Sequence, residues 1–355
     1  MTSNLSAGVR WFFRSGIQHP SGAVRREYRA YDRAFGPYSA EAGGWYVLGL
    51  LGAADGEADE ARERAEKAGE FLVEQAIDLA TDLVVEEPPA NGEPAAGDVR
   101  FGSCLVALRA LTALWKASGE TRYLGCAERC ARALQTRMSR VDGSFFSRFD
   151  LQSQEASGGS DAEIDQARLA LALFDLAESG GYREFEAPAI ELLSWALGRH
   201  EAALGESGPF VDRALVLRRY ARFLEGLLPR AAADARVGQT LQSGIMSLES
   251  EVAGLPADRR PLSLSAQALR LRLHADSLGI AELDRVAAER ETAQLSAAQL
   301  RSEDPRLDGG FPAAVGGGDR EAVVSAEETA VSLQALAMWT EAESGAFSRS
   351  WQDLI

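Results

Sequence analysis

Tyr38-Ser39-Ala40-Glu41-Ala42-Gly43-Gly44-Trp45-Tyr46-Val47-Leu48-Gly49-Leu50-Leu51 carries the pattern that the rest of the chain repeats. It predicts a buried helix with a carboxylate and two aromatic rings in its first turns. Ser39 is placed to cap the helix N-terminus. Glu41 then sits where the helix dipole favours an anion. Gly43, Gly44 and Gly49 let neighbouring backbones approach closely.

Five further helices start in a comparable way, near residues 101, 162, 209, 262 and 325. The spacing between starts runs from about 47 to 63 residues, a loose repeat. Strand-like alternation is rare and helical periodicity is nearly continuous. About twelve helices alternate between mostly apolar ones, such as 101–118 and 162–179, and amphipathic ones, such as 57–84 and 120–139. A helix that is apolar nearly all round must be covered on every side. The expected fold is therefore all-α, an (α/α)6 toroid with an inner ring wrapped by an outer one. The expected organisation is one domain over residues 1–355.

Loop lengths give a second argument. Inner-to-outer connections are short: Asp55-Gly56, Gly119, Gly180-Gly181, Pro229 and Gly279. Outer-to-inner connections are often long: 18–38, 85–100, 140–161 and 302–324. Long loops carry function disproportionately. In a ring they share one end, beside the inner-helix N-termini, and a cleft is expected there. Pro20-Ser21-Gly22-Ala23, Asp142-Gly143-Ser144-Phe145-Phe146 and Asp308-Gly309-Gly310-Phe311-Pro312 recur after outer helices and read as tight turns.

Of the 355 residues, 46% are apolar, and 37 basic residues face 53 acidic ones for a net charge of -16. This balance argues against nucleic-acid binding, because no basic stripe exists to replace counterions. The cluster Arg25, Arg26, Arg29 and Arg33 is local, either a solvated face or a contact for an anionic ligand. Residues 1–17 lack the apolar core of a secretory signal. No run approaches the roughly 18 apolar residues of a membrane span. The expectation is a cytoplasmic protein. Three cysteines suit a reducing compartment. Cys126 and Cys130 lie four apart on one helix, but with no histidine nearby they read as packing residues. No metal and no cofactor are expected. Oligomeric state is left open.

Trp11-Phe12-Phe13-Arg14-Ser15-Gly16-Ile17-Gln18-His19-Pro20-Ser21-Gly22-Ala23, then Tyr38 and Glu41-Ala42-Gly43-Gly44-Trp45, resembles the opening of bacterial α/α-toroid proteins of exopolysaccharide loci. These are similar to polysaccharide biosynthesis protein VpsJ. Glu41, Gly44 and Trp45 match the family's Glu-x-x-Gly-aromatic element. Phe101-Gly102-Ser103 resembles the next inner helix, where the family tends to have Asp-Thr-Gly; the aspartate is missing here. The resemblance covers about the first 150 residues and implies a toroid linked to polysaccharide metabolism.

Toroids also include glycoside hydrolases, polysaccharide lyases, sugar epimerases, terpene cyclases and prenyltransferase subunits, and fold alone does not choose among them. The chain has no Asp-x-Asp-Asp acid for a class II terpene cyclase. His19, His200 and His274 are too few and poorly placed for a prenyltransferase zinc site or a histidine-dependent epimerase. Gly316-Gly317-Gly318 lacks the Lys-Ser/Thr of a phosphate loop.

Glycoside hydrolysis needs two carboxylates across a sugar cleft. Candidates at the mouth are Glu41, Asp98, Asp150, Asp161, Glu163, Asp165, Asp212, Glu327 and Glu328. Glu41 is the first choice for a catalytic acid, because apolar surroundings raise a carboxyl pKa. Asp165 and Asp212, in first turns of inner helices, are its candidate partners. The structural alternative for each is dipole stabilisation or capping. Glu327 and Glu328 lie beside Ser325 and fit a capping box. Sugar rings are held on aromatic faces with polar edges. Tyr38, Trp45, Phe101, Phe146 and Phe210, with Glu328, are candidate substrate contacts; packing is the competing reading. Arg100 could pair bidentately with a uronate, against a plain surface ion pair. The expected partner is an oligosaccharide or polysaccharide. A non-catalytic glycan- or protein-binding toroid and an isoprenoid-handling toroid are the competing readings.

Overall fold

The computed structural model describes residues 2–53, 58–90, 97–159, 163–205, 212–256, 260–313 and 321–354. Six helices form a closed inner ring: α2 (Ala40–Ala53), α4 (Phe101–Ser118), α6 (Ala167–Glu178), α9 (Arg213–Ala231), α11 (Leu262–Ser277) and α13 (Ala326–Glu343). Each packs on the next in that order, and α13 packs back on α2. That last contact makes a toroid rather than an open superhelix. The outer helices are α1 (Thr2–Arg14), α3 (Ala58–Phe71), α5 (Thr121–Ala133), α7 (Glu186–Leu197) with the short α8 (His200–Leu204), α10 (Ala235–Gly254) and α12 (Arg285–Ala298).

Burial follows the alternation in the sequence. Nearly every residue of α2, α6 and α13 is buried, whereas α3 and α12 bury one face. Inner helices are close-packed because small residues sit at their crossings. A Cβ on Gly44 would lie 2.7 Å from Val106 Cγ1 and 3.0 Å from the Val106 carbonyl oxygen. A side chain there would push α2 and α4 apart.

Among the described residues, the long connections hold six short strands. Strands β1 (Glu27–Arg29), β2 (Ala34–Phe35) and β6 (Val323–Ser325) form an antiparallel sheet in the order β2-β1-β6. That sheet ties the first long loop to the last. Strands β3 (Asp98–Arg100), β4 (Arg148–Asp150) and β5 (Glu155–Ser157) form the other, in the order β3-β4-β5. Two or three residues are too few for a period of two to show in a sequence, so helix counting passed over them.

Several helices end earlier than their periodicity suggests. The third and fifth helices, expected over 57–84 and 120–139, finish in single π-helical turns, Leu72–Ala76 and Leu134–Met138. The chain then leaves in an extended conformation at Ile77 and Ser139. The helix expected over 182–204 divides into α7 and α8 at Gly198 and Arg199. Helix α9 runs through Pro229, which sits in its last turn instead of ending it.

The three recurring turns are real equivalents. Gly22, Gly143 and Gly309 all have positive φ; the bridges Gln18–Val24 and Ser139–Phe145 close the first two turns, and Leu300 closes the third against Gly309 and Gly310. A fourth, Ile77–Val84, uses Asp82 at φ 58°. At Gly309 a Cβ would stand 2.1 Å from the Ala7 carbonyl oxygen, and φ is 88°. Gly309→Ala is therefore expected to lower stability by about 3 kcal/mol, read by urea denaturation. An unchanged midpoint would mean that this turn moves freely off α1.

Candidate active site

Ser39 caps α2: its Oγ accepts from the Ala42 amide at 3.3 Å. The cap fixes the first turn, and Glu41 projects from it into a cleft of about 440 Å³. Trp45, Arg100, Phe101 and Asp165 line the same cleft. Those five predicted residues come together from three chain segments. Glu163 joins them, with Arg148, Arg168, Arg219 and Arg222.

Glu41 is half-buried and forms no ion pair with any described residue; the Trp45 indole acts on its carboxyl as a hydrogen-bond donor. Its carboxylate lies over Gly102, whose missing side chain leaves space there; a Cβ would sit 3.7 Å from Oε1. Burial, and after it the Glu327 charge, push the Glu41 carboxyl up to about 7, against the pull of Arg222. Glu327 behaves oppositely. Burial works against its charge, but Arg222, Arg218 and Arg168 hold its carboxyl below the usual range. Arg222 Nη2 donates to Glu327 Oε1 at 2.5 Å. Two acids close enough to feel each other are thus pushed apart in pKa. That is how one site keeps a proton donor beside a permanent anion.

Asp165 sits in a single 3₁₀ turn, Ile164–Gln166, before α6. Burial raises its carboxyl, opposed first by Arg222 at 3.9 Å and then by Arg219 and Arg168. Trp45 is 2% exposed, with the Arg168 guanidinium 4.9 Å from its ring centre. Phe101 packs its ring on Phe145 at 5.5 Å.

Below the cleft, Glu225 of α9 is fully buried between Arg168 of α6 and Arg270 of α11. Arg270 also donates to Gln334 Oε1 of α13 at 2.8 Å. Four inner helices are joined through these charges. On the other side, Glu86 accepts from Arg26 at 2.5 Å and from Ser39 Oγ at 3.3 Å. Ser103 Oγ also donates to it. Glu86 thereby ties the cap of α2 to the first turn of α4.

Other expected site residues lie elsewhere. Asp212 caps α9, accepting from the Ala214 and Leu215 amides at 3.0 and 3.3 Å, and does not line the cleft. Capping, the competing reading, describes its position. Glu328 is buried, accepting from Arg218 at 2.9 Å and from the Ser263 amide at 2.8 Å. It braces α13 against α9 and α11. Ser325 does accept from the Glu328 amide at 3.1 Å, but the Glu328 carboxylate turns away, so no reciprocal capping box forms. Tyr38 lies under Arg25, whose Nη2 donates to its hydroxyl at 2.9 Å. Phe146 packs below Arg140, and its neighbours Ser147 and Arg148 reach the cleft instead. Asp98 and Asp150 are exposed on β3 and β4; Asp150 accepts from the Gln152 and Ser153 amides at 2.9 and 2.7 Å. Asp161 and Phe210 lie outside the described residues, as do Asp55-Gly56 and Gly316–Gly318. In the arginine cluster, Arg26 pairs with Glu86 and Glu87, and Arg29 with Glu27 and Asp32.

None of the three histidines lines the cleft. His19 packs on Tyr38, His200 stacks on Phe223, and His274 is buried beside Phe347. No described helix is long and apolar enough to cross a membrane.

No protein-family model and no curated protein matches the chain. Solved structures do. Cellobiose 2-epimerase from Bacillus thermoamylovorans is similar at a TM-score of 0.72 and 12% identity, over 92% of this chain and 95% of that one. An unsaturated glucuronyl hydrolase specific for heparin gives 0.70 at 13%, covering 98% of both chains. A polysaccharide lyase gives 0.58 at 13%, over 88% of this chain and 93% of that one. At such identities the likeness establishes the toroid fold.

Proposed function

We propose that the protein is a carbohydrate-active enzyme, a glycoside hydrolase or polysaccharide lyase, with Glu41 as its proton donor. The whole chain acts as one toroid domain. One observation carries the reading: a half-buried carboxyl outside any described ion pair, raised to about 7, sits in a cleft beside Trp45 and Phe101. At neutral pH a large fraction of Glu41 holds a proton where a sugar ring would lie. In hydrolysis that proton goes to the departing glycosidic oxygen. Water adds its oxygen to the anomeric carbon and yields its proton to Asp165, the second carboxylate of the cleft. In elimination Asp165 takes the C5 proton of a uronate, the C4=C5 double bond forms as the C4–O bond breaks, and Glu41 protonates the departing oxygen. Trp45 and Phe101, both nearly fully buried, form the apolar wall behind the Glu41 carboxyl. The fold shared with carbohydrate-processing toroids adds support by analogy. We place the protein in the cytoplasm, in polysaccharide biosynthesis, in line with its resemblance to exopolysaccharide-locus toroids and its three buried, free cysteines.

A glycan-binding toroid without turnover is the second reading. It is favoured by the hold of Arg222 on Asp165 and by the missing aspartate around Gly102. Eight charged side chains line the cleft, which disfavours an isoprenoid substrate. Calorimetry and mass spectrometry of products on one glycan panel separate the first two. Cleavage products with wild-type protein that disappear with Glu41→Gln support the enzyme. Binding with no product from any bound glycan supports the binder.

A further inference from the structure

The protein is strongly acidic, yet five arginines line its cleft against three carboxylates. Two are already engaged: Arg168 with Glu225, and Arg222 with Glu327 and Asp165. The side chains of Arg100 and Arg148 form no ion pair among the described residues, and Arg219 forms none, though its charge also acts on Asp165. Arg100 and Arg148 stand directly opposite each other in the β3–β4 register. Two places along the same ladder, Asp98 stands opposite Asp150. The exposed face of this strand pair therefore sorts its charges. Arginines oppose each other at the cleft end and aspartates oppose each other away from it. Like charges directly across a strand pair destabilise it, and alternating signs would have been the stable choice. An anion lying between the two guanidinium groups removes that repulsion. Arg219 enters the same cleft from α9, two inner helices further round the ring.

Building on the carbohydrate reading above, we propose that the cleft selects an acidic saccharide, with Arg100 and Arg148 gripping its carboxylate or sulfate group and Arg219 completing the grip. Guanidinium groups pair with such planar or multi-oxygen anions through two parallel hydrogen bonds. Neutral sugar hydroxyls give them no charge to pair with.

The test is calorimetry of the full chain with three oligosaccharides of equal length: cello-oligosaccharide (neutral), oligogalacturonate (carboxylate) and heparin oligosaccharide (carboxylate and sulfate). At least one acidic ligand is expected to bind roughly tenfold or more tightly than the neutral one, with affinity falling as salt rises. Binding of oligogalacturonate assigns the anion as a uronate; binding of heparin alone assigns it as a sulfate. Arg100→Gln and Arg148→Gln should each cost about tenfold in that affinity. Both side chains are exposed and each substitution relieves the Arg100–Arg148 repulsion, so melting temperatures should not fall. Equal affinity across the three ligands, or unchanged acidic binding in both variants, overturns the proposal. If neutral glycan is bound and cleaved with the arginine variants unaffected, the enzyme reading stands and this inference alone falls. If no saccharide binds, both fall. Acidic binding lost in the variants with no turnover in wild type keeps the inference and removes the enzyme.

Discussion

Glu41→Gln is expected to lower turnover of a cleavable glycan by about a hundredfold to ten-thousandfold while leaving binding within a few-fold. Glutamine keeps the shape and loses the proton. In the wild type, kcat/KM should fall with rising pH above about 7, where Glu41 becomes an anion. The same substitution should stabilise the protein at alkaline pH. The native carboxyl is raised from 4.5 to about 7, so the folded state binds the proton more tightly than the unfolded state. Stability from this group is present at low pH and is lost as pH rises between those two values. Glu41→Gln should therefore gain on the order of 2 kcal/mol over wild type at pH 8, and the gain should shrink below pH 5. Loss of activity with a gain of stability marks a site kept under electrostatic strain. Loss of both would mean that Glu41 holds the fold instead.

Glu225→Gln is expected to destabilise by about 3–5 kcal/mol. Glu225 is fully buried, and so are its partners Arg168 and Arg270. Removing one anion leaves two guanidinium groups in a dry interior, and their desolvation is no longer offset. The cost should exceed that of an exposed pair such as Arg62–Glu66, worth less than about 1 kcal/mol. Urea denaturation of Glu225→Gln and Glu66→Gln side by side measures the difference. Glu225→Gln should also loosen Arg168 over Trp45 and so disturb the cleft wall. Near-equal costs for the two variants would show that the three-helix charge junction contributes little.

The ring was legible because its physics is repeated. The six starts expected near 39, 101, 162, 209, 262 and 325 correspond to helices beginning at Ala40, Phe101, Ala167, Arg213, Leu262 and Ala326. Most inner helices, α2, α4, α6 and α13 among them, are buried nearly all round, and encirclement covers them; α9 is mixed and turns its arginines to the cleft. Long loops gathered at one end for the same reason. That geometry brought Glu41, Trp45, Arg100, Phe101 and Asp165 into one cleft. What the sequence concealed was which charge met which. Arg168 and Arg222 sit in helices rich in buried residues, where an uncompensated charge is unstable. That alone marked them for partners, but the partners lie on other helices. Arg148 was hidden because a three-residue strand gives no readable period. Glu86 sits in the loop between α3 and α4, and only the closed ring places it under Ser39 and Ser103. Asp212 and Glu328 share the inner-helix starts with Glu41 and Asp165. The first is held by its own backbone amides and the second by Arg218 and the Ser263 amide.

The central claim is that Glu41 carries a proton at neutral pH inside the cleft. Carbon-13 NMR of protein labelled at glutamate carboxyls, titrated beside Glu41→Gln to assign the resonance, measures this directly. A carboxyl titrating near 7 and absent from the variant is the predicted result. A Glu41 carboxyl titrating between about 4 and 5, in the ordinary range of a solvated glutamate, would contradict it.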